Sequence, residues 1–170
     1  MSMDNMAMEN NGYLLDISLA EQKLTLKRAD TALAEFAIST ARNGPGERLN
    51  SECTPRGRHR IVEKIGEGCP VDTVFVGRIP TGESYSEQLR NQHPGRDWIL
   101  TRILRLEGVE QGINKGGEVD TFERMIYIHG SPADVPMGVA GSHGCIRMRN
   151  QDVIRLFDLV PLATEVFIHE

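Results

Sequence analysis

Along most of the chain the apolar positions alternate with polar ones instead of recurring every third or fourth residue. "YLLDISLA" from Tyr13 and "KLTLKRA" from Lys23 show this two-residue period, which belongs to a strand with one wet and one dry face. Glu21-Gln22 connect the two runs at the length of a hairpin. "ALAEFAIST", "RHRIVEKI", "TVFVGRI" and "WILTRILRL" continue the pattern, and "RMIYIHG" ends on His129. Glycine, proline and asparagine gather at the ends of these runs, and aliphatic or β-branched residues fill them. One segment departs from the pattern. In "NQDVIRLFDLV", Val153, Ile154, Phe157 and Val160 fall on one helical face, Asn150 is placed to cap the start, and Pro161 ends it. "TEVFIHE" returns to a final strand.

Two polar stretches are long for hairpin connections, "PTGESYSEQLRNQHPGRD" and "EGVEQGINKGGEVDT". The second lies just upstream of the His129 strand, so it either borders a site there or decorates the surface. The full 170 residues suit one domain with a complete core. Residues 1–12 read as a flexible N-terminal segment and 13–170 as a single domain. A net charge of −5 gives no electrostatic reason to expect a nucleic-acid or anionic-membrane partner. No run approaches the ~18 apolar residues of a membrane span. "MSMDNMAMENNGYLL" lacks a basic start, and Asp4, Glu9 and three asparagines interrupt its apolar residues; that is not a secretory signal. The expected location is the cytoplasm, although a chain whose leader had been removed would read the same way.

Cys53, Cys69 and Cys145 are odd in number and contain no CxxC pair, a poor framework for disulfides or zinc. Cys145 stands in "GSHGCIRMRN", beside His143 and ahead of Arg147 and Arg149. A nucleophilic cysteine needs a base, because a free thiol titrates near ~8.5. His129, at the end of an apolar strand, and His143, two residues from the sulfur, are the candidates. Gly144 permits a tight turn whose N–H groups converge on an anion, and the planar fork of Arg147 suits a carboxylate. Each residue also has a structural reading: a small buried thiol, a strand-end histidine satisfied within the fold, arginines on a wet face. A zinc site from Cys145, His129 and His143 lacks a fourth ligand. The residues alone leave both readings open.

The two motifs taken together narrow them. "IHGSPADVPMGVAGSHGCIRMRN" resembles the active-site signature of the L,D-transpeptidase catalytic domain, or YkuD domain, with twelve residues between His129 and Ser142. "CTPRGRHRI" resembles a second hallmark, a TPxG turn at Thr54–Gly57 entering a strand. His59 stands where that hallmark usually has an aromatic residue. The resemblance, from about Tyr13 to Ile168, implies a mainly β fold, a curved β-sandwich with a few short helices, and an enzyme without metal or cofactor. It also implies roles: Cys145 as nucleophile, His129 as proton acceptor and donor, and a backbone carbonyl near Gly130 orienting the imidazole. Ser142, His143, Gly144 and the Cys145 N–H would form the substrate and oxyanion site, with Arg147 on a substrate carboxylate.

The implied substrate is a peptidoglycan stem tetrapeptide or muropeptide, cut between its diamino acid and the terminal D-alanine. Its thioester has two fates. Water gives a tripeptide, an L,D-carboxypeptidase outcome suited to murein recycling, and the expected cytoplasmic location favours it. An amine acceptor gives a 3→3 cross-link in the wall. A binding module that has lost catalysis is a third reading, against which both Cys145 and His129 are intact. An activated Cys145 is expected to alkylate much faster than Cys53 or Cys69, and carbapenems are expected to acylate it. Arg56, Arg58 and Arg60 share one strand face, suited either to an anionic substrate or to the acidic surface. Tyr85 and Trp98 read as lid, core or surface residues. Oligomeric state is not legible.

Overall fold

The alternating runs build one ten-stranded sheet in the computed structural model, which describes residues 12–170. The strands are β1 (Tyr13–Ser18), β2 (Lys23–Arg28), β3 (Thr31–Ser39), β4 (Gly57–Ile65), β5 (Thr73–Val76), β6 (Ile79–Ser84), β7 (Ile99–Gly108), β8 (Tyr127–Gly130), β9 (Ile146–Met148) and β10 (Glu165–His169). Among the described residues two α-helices, α1 (Glu87–Gln92) and α2 (Asn150–Leu159), and a 3-10 turn at Gly117–Val119 accompany them. The expected flexible segment 1–12 falls almost wholly outside the described residues. The order is β4-β10-β1-β2-β3-β9-β8-β7-β5-β6, and β4 also pairs with β7. Eight strands therefore close a hydrogen-bonded circuit, and the β5–β6 hairpin hangs from β7. The mainly β expectation holds, with the sandwich curved far enough to join its own edges.

Alternation sends Leu15, Ile17, Leu24, Leu26 and Ile38 into one core with Ile128, Ile146 and Met148. Full burial of each such side chain contributes about 1.5–3 kcal/mol. Helix α2 covers the core with Val153, Leu156 and Phe157, followed by Val160 at its end. That i, i+3, i+4, i+7 row is the helical apolar stripe, and it replaces the expected Ile154 with Leu156. Asn150 is not the cap either. Arg149 holds that position, and the Asn150 side chain instead accepts a hydrogen bond from Ser131 N at 2.9 Å. It ties the helix to the end of β8.

Other departures have local causes. "TVFVGRI" bends at Gly77-Arg78 into the β5–β6 hairpin. "RMIYIHG" becomes extended only from Tyr127, because Met125 has φ +57. The first polar stretch contains β6 and α1, the latter capped by Ser86 Oγ accepting from Leu89 N at 3.0 Å. The second wraps around buried Asn114, which donates to the carbonyls of Arg56 and Arg58 and accepts from Glu110 N. It therefore packs behind the TPxG turn. Arg56, Arg58 and Arg60 are held by Glu47, Glu165 and Glu107 at 2.8–3.0 Å or a little more, the surface-balancing reading of that face.

His59 occupies the hallmark's aromatic position fully inside the fold. Nδ1 lies 3.0 Å from Gly57 O and Nε2 2.9 Å from Thr121 Oγ1. Burial lowers its imidazole from 6.5 to about 4. The unfolded chain thus binds this proton first, so the stability from neutral His59 is complete above pH 6.5 and drains away toward pH 4. The loss over that window is about 3 kcal/mol. Urea unfolding of the wild type and His59→Phe at steps from pH 7 to pH 4 checks it: the wild type should lose more stability than the variant.

Candidate active site

Parallel pairing of β8 with β9 sets Ile128 opposite Ile146 and His129 opposite Arg147. The two isoleucines face the core. Their neighbours point the other way, so Tyr127, His129, Cys145 and Arg147 share one cavity of about 270 Å³. Cys145 immediately precedes β9 and lies beside Tyr127, whose N–H approaches its Sγ at 3.3 Å.

His129 is buried, with Nδ1 2.6 Å from Gly130 O. A carbonyl only accepts, so Nδ1 carries the proton and Nε2 keeps the lone pair. The thiol donates to Met125 O at 3.4 Å. Burial pushes the Cys145 thiol up to about 12, and Asp97 adds to the rise, against the Tyr127 N–H, Arg147 and Arg124. Burial also lowers the His129 imidazole, which the Gly130 carbonyl and Asp97 partly offset. Both effects favour uncharged forms. The resting site thus favours a neutral thiol and a neutral imidazole in one cavity.

The turn before Cys145 is fastened on all sides. Gly144 has φ +132, and a Cβ there would lie 3.2 Å from Ile126 Cδ1 and 3.3 Å from Cys53 O; only glycine is at ease in that conformation. Ser142 Oγ donates to Cys145 O at 2.6 Å and accepts from Gly144 N at 3.2 Å. It builds the turn, and both groups are occupied there. Buried Thr54, from the TPxG turn, donates to Gly144 O at 2.9 Å and accepts from Ala41 N at 3.0 Å. The two sequence motifs thus meet through one hydroxyl. His143 is exposed and lies where this cavity adjoins a second of about 230 Å³.

Several cavity residues escaped the sequence reading. Asp97, last residue but one before β7's run, sits 3.3 Å from Arg147, whose other nitrogen donates to Gly141 O at 3.1 Å. Arg147 is thus already paired. Arg78, in the β5–β6 turn, donates to Tyr127 Oη at 3.0 Å. Arg124 donates to Cys53 O at 2.7 Å and to Ser51 Oγ at 3.3 Å. No signal in the sequence pointed to any of them. No residue of the second polar stretch lines this cavity, and Arg149 points to a separate one near α2. Trp98 is buried edge-on to Tyr85, centroids 5.3 Å apart, beside the second cavity. Among the described residues no three His, Cys, Asp or Glu side chains gather as a metal set.

Residues 12–168 match the family model of the L,D-transpeptidase catalytic domain, YkuD. Over 116 residues the chain is 49% identical to the probable L,D-transpeptidase ErfK/SrfK of Salmonella typhimurium, covering 57% of this chain and 38% of that one. It is 42% identical over 48 residues to the putative L,D-transpeptidase YqjB of Bacillus subtilis, covering 28% and 27%. The chain thus spans less than half the length of either relative. An L,D-transpeptidase from Mycobacterium smegmatis shares the fold with a TM-score of 0.57 at 18% identity, over 94% of this chain and 59% of its own. For the Enterococcus faecium L,D-transpeptidase the values are 0.58, 16%, 94% and 50%.

Three outcomes follow from this geometry. Ultraviolet titration of the thiolate, with Cys145→Ser subtracted, should show Cys145 protonated through about pH 10. Asp97→Asn should move that titration downward, since a negative charge beside the sulfur is removed. Thr54→Val leaves Gly144 O and Ala41 N unpaired and should lower stability by about 1–3 kcal/mol in chemical denaturation, with Cys145 acylation slowed as its turn loosens.

Proposed function

The chain belongs to the L,D-transpeptidase catalytic-domain family, and on that premise we propose that it transfers the acyl group of a peptidoglycan stem peptide through a Cys145 thioester. The donor is a tetrapeptide stem ending in a diamino acid linked through its L-centre to D-alanine. The observation that carries the reading is the shared cavity of Cys145 and His129, with Nδ1 of the imidazole committed to Gly130 O. That tautomer keeps Nε2 as the base.

As Sγ attacks the carbonyl of the diamino acid, its proton passes to His129 Nε2. The C–N bond to D-alanine then breaks, and the imidazolium gives its proton to the leaving amine. Gly144 N–H is already bound to Ser142 Oγ, so the Cys145 N–H is the turn's donor for the transient oxyanion. An incoming amine attacks the thioester, the C–S bond breaks, and the proton released by the amine returns through His129 to sulfur. Starting from a neutral pair, charge appears only when substrate is present. The carboxylate of D-alanine takes Arg147 from Asp97, a trade of one anion for another that costs little net charge.

Transfer is placed ahead of the hydrolysis that the sequence reading preferred, because the second cavity adjoins the thiol's through Asp97, His143 and Arg147. It offers room for an acceptor stem. Cross-linking goes with work on the wall outside the inner membrane. The second reading is an L,D-carboxypeptidase acting on soluble muropeptides in the cytoplasm. It is favoured by Asp97, which stands with Arg147 on the boundary that an acceptor must cross.

Mass spectrometry of a tetrapeptide stem incubated with the protein, with and without excess acceptor stem, separates these readings. A Cys145 adduct lighter than the stem by D-alanine, and a 3→3 dimer when acceptor is present, are expected. Cys145→Ala should abolish both, and His129→Gln should slow them by roughly 10²–10⁴-fold. Tripeptide alone in both tubes would establish the carboxypeptidase. No adduct and no product would overturn the catalytic reading.

A further inference from the structure

An arginine stands at each end of the thiol's cavity. Along the common direction of β8 and β9 the order is Met125, then Tyr127 with Cys145, then His129 with Arg147. Arg147 and its partner Asp97 thus mark the far end, where the second cavity begins. At the near end the Arg78 guanidinium reaches across from the β5–β6 turn to Tyr127 Oη at 3.0 Å and Met125 Sδ at 3.9 Å.

Arg78 differs from the other two cavity arginines. Arg147 is matched by a carboxylate, and Arg124 is used up on Cys53 O, Ser51 Oγ and Gly46 O. Among the described residues Arg78 makes no ion pair; the carboxylate it feels from a distance, Glu63, is paired with Arg105 at 3.3 Å. Its backbone is also unusual. The two-residue turn between Val76 and Ile79 has φ +56 at Gly77 and +66 at Arg78. Such turns favour glycine or asparagine at both places, and a non-glycine residue held there beside a reactive cavity is a sign of use.

We infer that Arg78 is a specificity-determining residue that binds the carboxylate on the distal centre of the donor's diamino acid. The inference rests on the function proposed above and adds what the donor must carry. His129 protonates the leaving D-alanine, so that group lies at the His129–Arg147 end. The side chain of the residue under attack branches from the α-carbon on the other side of that carbonyl, and in this inference it runs the other way, past Tyr127 to Arg78. A phenolic hydroxyl and a thioether are weak partners for a guanidinium, and a carboxylate displaces them with two charge-assisted hydrogen bonds. A carboxamide or a lysine ammonium at that position finds no such gain.

The test uses three tetrapeptide stems that differ only at the third residue: meso-diaminopimelate, its distal carboxamide, and L-lysine. D-Alanine release gives kcat/KM for each. The wild type should prefer the free carboxylate by roughly 10- to 100-fold. Arg78→Gly, at ease at a positive φ, should bring that ratio close to one, and Arg78→Lys should restore part of it. Equal turnover of all three by the wild type, or an equal loss on all three in Arg78→Gly, would overturn this inference alone. If the wild type released D-alanine from none of them, the proposed function would fall and this inference with it.

Discussion

The parallel contact between β8 and β9 is the constraint on which the rest of the site depends. Parallel neighbours cannot be joined by a tight turn, so the chain must leave β8 after Gly130 and travel the full length of residues 131–145 before it returns. The spacing between His129 and Cys145 is therefore a requirement of strand geometry as much as of chemistry. The crossover is not a helix. It is held to the end of β3 and the residues after it, by Gly138 N on Ile38 O and by Gly141 N and Ser142 N on Thr40 O, each at 2.8 Å. A one-residue slip in the pairing would turn Arg147 into the core and Ile146 into the cavity. Thr54 then fixes the last degree of freedom by holding the Gly144 carbonyl from a turn ninety residues away.

Charge is kept out of the resting centre by the same packing. The imidazole is buried and the thiol partly so, and loss of solvent favours the neutral form of each. Charged groups line the same cavity, and one of its arginines, Arg147, is balanced by a carboxylate, Asp97. Such an arrangement lets an anionic substrate rearrange existing partners without first neutralising a buried ion. It also explains why the neighbourhood of "HGCIR" looks more activating in one dimension than it is in three: Arg147 is the cation beside the cysteine in sequence, and Asp97 cancels much of it in space.

Period-two patterning made the strands legible because each buries one face, and the spacing of two motifs made His129 and Cys145 legible as a pair. What stayed hidden has physical reasons. β9 has three residues, too few to show a period. The helix face was misread by one position because Ile154 and Leu156 are equally apolar and only the tilt of α2 on the core separates them. Arg78, Asp97 and Arg124 come from three loops far apart in the chain, and nothing local tells an arginine that enters a cavity from one that meets an acid on the surface. Arg56, Arg58 and Arg60 show the converse: Arg58 and Arg60 lie on β4 and Arg56 just before it, and the Glu165, Glu107 and Glu47 that hold them were invisible until the circuit closed.

That closure has a consequence for how molecules of this protein meet one another. An open sheet offers unpaired N–H and C=O groups to any passing strand, the usual route to edge-to-edge aggregation. Here eight strands use both edges on each other, and among the described residues the free margin is left to β6. β6 is six residues long and contains Pro80, which has no N–H to offer, and Gly82, which is poorly suited to a regular ladder. The hairpin is thus a poor template for an added strand. Its inner strand, by contrast, is anchored by Val74 and Phe75, both buried, so the exposed margin is carried on a fixed strand.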